Sequence, residues 1–321
     1  MSEETLSEFS PYPDAPALII GAAGVDIVGR LKADLHTGTS NPAQIRTSFG
    51  GVARNVAETL ARLGHPVKLL SVVGEDQAGN QLLENIARAG VSVEAVKRTC
   101  LQPTGAYIGM VNAAGELQVA MDDMRAISEL SPEYIRENAH LFQEASVVFF
   151  DANLPKETLR TVFSLARKAH LPVCADPTST VLAERIKPYL NRLSLITPNS
   201  SEAAILTDQP ISAPKRRDAL QAAKRLVSQG VKVVIVSMAI YGVCYATSDT
   251  SGHIPAIRTE IVDPTGAGDA LTATVLFALL NDIPIDDAVR LGVSAASLTL
   301  RHPGTVWPDL SLEKLYDQLL I

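Results

Sequence analysis

Short apolar runs alternate with amphipathic stretches along most of this 321-residue chain, and that alternation limits the fold more than any other feature. Runs of four to eight apolar residues separated by helical patterns are the mark of βα units joined by right-handed crossovers into a mostly parallel sheet. The pattern predicts strands at Ala17–Gly21, Val67–Val73, Ser146–Asp151, Val173–Asp176, Ser194–Thr197 and Val233–Ser237. Between them it predicts helices at Ala53–Leu63, Ala78–Ala89, Lys156–His170, Lys215–Gln229 and Ala267–Leu280. Four extended segments interrupt the rhythm: Ile27–Leu35 with Ile45–Ser48, and Tyr107–Asn112 with Leu117–Met121, the last two joined by a predicted turn at Asn112-Ala-Ala-Gly115. Strands inserted there would form a small sheet beside the main one, over segments near 27–48 and 105–122, where a lid over a site could sit.

The first sixteen residues are polar and proline-rich, without the basic start and apolar core of a secretory signal, and read as a loose tail ahead of one α/β domain spanning 17–321. No apolar run is long enough to predict a membrane span. A net charge of −7 argues against a nucleic-acid partner, because phosphate backbones are gripped by clustered Lys and Arg. Three widely spaced cysteines, Cys100, Cys174 and Cys244, suggest neither a disulfide framework nor a zinc site, and the expected location is the cytoplasm. The expected partner is a small molecule.

The most informative stretch is Asp263-Pro-Thr-Gly-Ala-Gly-Asp269, a loop of small residues running directly into a helix. Free N–H groups at a helix start attract anions, and Gly266 and Gly268 let the backbone approach a phosphate closely. Asp269 would lie beside such a phosphate and could accept a hydroxyl proton; otherwise it is a helix-start carboxylate. A second glycine-rich segment, Gly50-Gly51-Val-Ala53-Arg54-Asn55-Val-Ala57 followed by Gly64 and Gly74, precedes another helix. No Gly-x(4)-Gly-Lys-Ser/Thr loop, His-Glu-x-x-His or Gly-x-Ser-x-Gly is present, so phosphate handling rests on backbone amides.

These two segments resemble, in order, the two signatures of the ribokinase-like (PfkB) carbohydrate kinases, with Pro264 where Thr is more usual. The resemblance runs from about Ala17 to Pro308. It implies a ribokinase-like α/β fold with a β lid, ATP and Mg²⁺ as cofactors, and a homodimer joined through the lid strands. It also implies roles: Asp269 as base, and Gly266, Ala267 and Gly268 as the amides that hold developing charge. Asp26, Asn41, Gly50, Gly51, Asn55 and Asn153 would contact the sugar. Asn199, Ser237, Gly242 and Thr265 would line the nucleotide, with Gly266 and Gly268. Glu202 of Asn199-Ser-Ser-Glu202 would reach Mg²⁺ through water, although the same four residues form a capping box. Asp263 would help hold a monovalent cation such as K⁺. Ala239, in the segment along the nucleotide, stands where glycine is common.

Within the family, Ser40-Asn41-Pro42, Arg54, Asp123-Met124, Asp151-Ala-Asn153, Asp176-Pro-Thr-Ser179 and Pro308-Asp-Leu-Ser311 are most similar to pseudouridine kinases. The expected reaction is therefore phosphorylation of the pseudouridine 5′-hydroxyl. Two alternatives stay open: another sugar or nucleoside kinase of the same family, and a sugar-binding regulator without catalysis.

Overall fold

The computed structural model describes residues 9–113, 117–209 and 215–319. From the N-terminus run β1 (Ala17–Ile20), β2 (Gly24–Leu31), β3 (Ala43–Gly50), α1 (Val52–Arg62), β4 (Val67–Gly74), α2 (Gln77–Arg88), β5 (Val91–Ser92), β6 (Val96–Thr99), β7 (Gly105–Val111) and β8 (Leu117–Asp123). The middle of the chain holds α3 (Pro132–Glu137), α4 (His140–Gln143), β9 (Val147–Asp151), α5 (Lys156–Lys168), β10 (Val173–Asp176), α6 (Thr180–Ala183), β11 (Leu195–Ile196) and α7 (Ser200–Thr207). It ends with α8 (Arg216–Ser228), β12 (Val233–Ser237), β13 (Val243–Ala246), β14 (Ser251–Ile254), α9 (Ala267–Leu280), α10 (Ile285–Leu300) and α11 (Leu312–Leu319).

The main sheet has the order β14-β13-β12-β11-β10-β9-β1-β4-β5, with β6 also pairing β4. It is parallel except at β13, which runs antiparallel to both neighbours. This is the ribokinase-like α/β fold. Alternate strand residues enter opposite cores. Ile19, Leu69 and Phe149 face the core shared with α1, α9 and α10, whereas Leu18, Leu70 and Phe150 face the one covered by α5, α7 and α8. Every residue of α9 from Ala270 to Leu280 is buried, so this helix is apolar all round and its first turn is held in a fixed place.

Strand order reverses at β1, which pairs β4 on one side and β9 on the other. A crevice beyond the carboxyl ends of the strands at such a reversal is where open α/β sheets bind ligands.

A separate sheet, β3-β2-β7-β8, forms the lid. The lid strand β2 begins at Gly24 and ends at Leu31, rather than spanning the predicted Ile27–Leu35, so Asp26 lies within it. Register places Ser48, Asp26, Tyr107 and Asp122 side by side on one face of the lid. The opposite face carries Ile45, Ile108, Val119 and Met121, all exposed. The predicted turn at Asn112–Gly115 falls largely outside the described residues.

The expected loose tail is corrected from Phe9 onward. Phe9 packs into the core with 8% exposure, and the Ser10 hydroxyl donates to the Ser146 carbonyl at 2.7 Å. The aromatic ring among polar neighbours is what anchors it.

Ala239 occupies the left-handed region at φ 50°, in a short turn after β12. That conformation costs an L-residue about 1–2 kcal/mol, and the extra unfolded-state freedom of glycine returns roughly half. Ala239→Gly is expected to raise stability by up to about 1 kcal/mol, read as a higher urea midpoint at unchanged slope; a lower midpoint would contradict the strain.

Candidate active site

Three elements meet at the end of β1, and one carboxylate joins them. Asp151, fully buried at the end of β9, accepts from the backbone N–H groups of Ala22 at 2.8 Å and Ala53 at 3.0 Å. Its other oxygen accepts from the backbone and side-chain nitrogens of Asn153, both at 3.0 Å. The start of α1 is thereby fixed against the end of β1. Gly51 precedes α1 at φ 95°, and a Cβ there would lie 2.4 Å from the Ala22 carbonyl oxygen.

Asn55, in the first turn of α1, donates from Nδ2 to the Asp269 carboxylate at 2.7 Å. The two glycine-rich segments, distant in sequence, are joined at this hydrogen bond. Gly266 is the N-cap of α9 at φ 80°, and a Cβ on it would fall 1.9 Å from the Thr305 carbonyl oxygen. A Cβ on Gly268, by contrast, would meet nothing within 4 Å. Gly266 is thus required by packing and backbone shape, whereas Gly268 faces open space. No side chain caps α9, so its first-turn N–H groups, including those of Ala267 and Gly268, remain for an anion.

Asp269 is pushed up to about 7, chiefly by burial, with the Asn55 hydrogen bond opposing and Asp26 and Asp151 adding to the rise. Asp26 is pushed up to about 6 by burial, against the pull of Arg54. A carboxyl poised near neutrality is suited to taking a proton from a hydroxyl. The Asp26 carboxylate is so close to Gly50 that a Cβ there would sit 2.2 Å from it, which explains the glycine. Tyr107, beside Asp26, is itself raised by burial and by the charges of Asp26 and Asp122.

On the far side, Asn199 caps α7 and exchanges a capping box with Glu202: its Oδ1 accepts from the Glu202 N–H at 3.0 Å, and its own N–H donates to Glu202 at 2.9 Å. Asn199 also bridges Ser237 at the end of β12, and the Gly242 carbonyl accepts from Met238 at 2.8 Å. Asp176 and Glu202 are both raised by burial, and for Asp176 the charges of Glu202 and Asp269 come next. Among the described residues, no group of three or more His, Cys, Asp or Glu side chains is arranged to hold a metal. The arrangement fits Mg²⁺, which dehydrates reluctantly and is commonly held by one or two carboxylates plus phosphate and water. Asp263 accepts from Thr265 N–H at 3.0 Å and Gly304 N–H at 3.3 Å, tying the anion loop to the turn before Thr305.

Asn41, expected to contact the sugar, lies in the β2–β3 connection. Its amide accepts from the His36 N–H and donates to the His36 and Thr39 carbonyls, closing the β2–β3 connection on itself. A turn-closing Asn before Pro42 explains the residue without a ligand. The sequence reading gave Asp151 and Thr305 no site role; the signal for Asp151 was a carboxylate ending an apolar strand, whereas Thr305 lies in a loop without pattern.

Two outcomes test this geometry. Gly268→Ala should fold with wild-type stability yet lose phosphate binding, while Gly266→Ala should lower the melting temperature markedly; equal effects on stability would contradict the assignment. For Asp269, the folded carboxyl keeps its proton to about 7 while the unfolded one releases it near 3.8. Stability of the ligand-free protein therefore falls as pH rises from about 4 through about 7. Asp269→Asn should melt above wild type at pH 8, and the difference should vanish near pH 4. A constant difference across that range would show that the charge is not its cause.

Residues 17–310 match the pfkB family carbohydrate kinase. The chain is 32% identical over 296 residues to pseudouridine kinase of Escherichia coli K12, covering 92% of this chain and 93% of that protein. It is 30% identical over 281 residues to guanosine-inosine kinase of Exiguobacterium acetylicum, covering 87% and 92%. Among solved structures, a carbohydrate kinase from Agrobacterium tumefaciens superposes with TM-score 0.80 at 26% identity, covering 95% and 97%. Arabidopsis thaliana ribokinase, complexed with ribose and ATP, gives 0.81 at 24% identity, covering 96% and 99%. With both glycine-rich segments meeting at the Asn55–Asp269 hydrogen bond, this chain belongs to the pfkB family of carbohydrate kinases.

Proposed function

We propose that the chain transfers the γ-phosphoryl group of ATP to the 5′-hydroxyl of pseudouridine. The observation that carries this reading is a convergence. Met124 with Asp123, Asn153 and Ser179 come from three separate segments similar to pseudouridine kinases, and all line one open cleft of about 1110 Å³. The same cleft holds Asp122 and Lys156. A C-linked uracil keeps an N–H at the ring position that uridine uses for its sugar bond. It therefore asks for one acceptor more than uridine does, and the Asp122 carboxylate can supply it while Asn153 and Lys156 donate to the ring carbonyls.

In this reading Asp26 accepts hydrogen bonds from the ribose hydroxyls, aided by the backbone at Gly50 and Gly51. Asn55 orients Asp269, and Asp269 takes the proton as the 5′-oxygen attacks phosphorus in line. The amides from Gly266 to Gly268 bind the charge that builds on the transferring group. Asn199, Ser237, Gly242 and Thr265 flank the nucleotide. Mg²⁺, when bound, supplies charge compensation to the phosphates, with Glu202 ordering its waters. Asp263 retains a lone pair on each oxygen, which suits a K⁺ ion behind the anion loop. The exposed apolar lid face, with Ile45, Ile108 and Met121, supports a homodimer built through the lid.

Other family substrates remain rivals because the machinery at Asp269 would serve any primary hydroxyl. ADP release with Mg·ATP against pseudouridine, uridine, guanosine, inosine and ribose distinguishes them. Selective turnover of pseudouridine to its monophosphate is expected, with Asp269→Asn slower by about 10²–10⁴-fold. Preference for another acceptor would refute the substrate, and a near wild-type rate for Asp269→Asn would refute the base.

A further inference from the structure

Arg54 is 3% exposed, deep beneath the site, and the reaction as described gives it nothing to do. Its guanidinium gathers groups from four places. Nη1 donates to the Phe49 carbonyl at the root of the lid at 3.0 Å, to Asn55 Oδ1 at 2.8 Å and to Thr305 Oγ1 at 3.0 Å. Nη2 donates to Glu58 and, at 3.1 Å, to Asn85 Oδ1. Thr305 in turn donates to the same Phe49 carbonyl at 2.6 Å, and its own carbonyl is the atom that confines Gly266.

The Asn55 contact matters most. An asparagine amide has an accepting end and a donating end, and its neighbours decide which way it faces. Guanidinium can only donate, so it attracts the Asn55 oxygen and turns the NH₂ toward Asp269. Reversed, the amide would aim its oxygen at a carboxylate oxygen, and the base would lose its hydrogen bond.

We propose that Arg54 is a positioning residue that fixes the Asn55 amide, and through it the hydrogen bond that orients the Asp269 carboxylate. This rests on Asp269 being the base. The Asn55 hydrogen bond opposes the rise caused by burial, and the charge of Arg54 opposes it directly to a smaller extent, so only non-additivity with Asn55→Ala separates the positioning role from the charge.

The test compares Arg54→Lys, which still only donates, with Arg54→Gln, whose amide can present either end. Glu58 keeps Arg62 as a partner in both, so neither variant strands a buried carboxylate. With the best acceptor from the substrate panel, kcat is measured from pH 5 to 9. Arg54→Gln should move the acid limb up by about one pH unit, the size expected when a carboxylate loses a hydrogen bond to its charged form. Arg54→Lys should leave the limb in place, and KM for ATP should change less than about twofold in both. Asn55→Ala should shift the limb as Arg54→Gln does, and the double variant should add nothing further. Folded Arg54→Gln with a wild-type limb, or shifts that add, would overturn the proposal. If Arg54→Gln does not fold, Arg54→Met, which neither donates nor carries charge, replaces it: a limb raised by about a unit with no further shift on adding Asn55→Ala supports the proposal, and a wild-type limb or an additive shift overturns it. A wild-type acid limb that survives in Asp269→Asn would instead condemn the base assignment, independently of Arg54.

Discussion

The buried carboxylate of Asp151 is the contact on which the rest of the site is built. Four N–H groups converge on its two oxygens, two from the ends of β1 and α1 and two from Asn153. A carboxyl removed from water at this depth is costly unless its lone pairs are occupied, and here burial raises its proton affinity while each donor opposes the rise. Because the donors belong to different elements, satisfying Asp151 aligns β1, α1 and β9. The alignment of α1 sets Asn55, and Asn55 sets Asp269. Removing the Asp151 side chain would leave these donors unsatisfied in the interior as well as releasing α1.

Around that anchor the site collects like charges. Asp26, Asp176, Glu202 and Asp269 all have raised proton affinities, chiefly from burial, and neighbouring carboxylates add to the rise at Asp26 (Asp263), at Asp176 (Glu202 and Asp269) and at Asp269 (Asp26 and Asp151). Asp269 itself sits in the first turn of α9, an uncapped helix start that favours anions. A ligand that brings both a divalent cation and phosphate relieves both at once. The site is thus a locally destabilised region held by well-packed cores on both faces of the sheet, as expected where function opposes stability.

The main sheet was legible because each strand carries a compact apolar run, and Val147–Asp151 and Val233–Ser237 lie where periodicity put them. Short or polar strands such as Ser251–Ile254 were not, since only pairing with β13 makes Ser-Gly-His-Ile a strand. The candidate site at Asp269 and Asn55 was readable from glycine spacing and resemblance, but their mutual hydrogen bond was not, because nothing local connects residues 214 positions apart. Asn41 shows what residue type could not show: its amide closes its own loop, bonds that only the folded connection reveals. Ala239 was noticed as an exception to glycine, and its positive φ supplies the reason glycine is favoured.

Where the lid joins the core, Gly24 pairs with Gly50 on one side and Gly105 on the other, a rung with no side chains. A Cβ at Gly24 would strike the Gly105 carbonyl at 2.5 Å, and one at Gly105 would approach the Met124 sulfur at 2.9 Å. This seam is a joint of main chain alone: backbones pass each other at a distance that any side chain would widen, so the spacing between lid and crevice is set by backbone contact and not by side-chain packing.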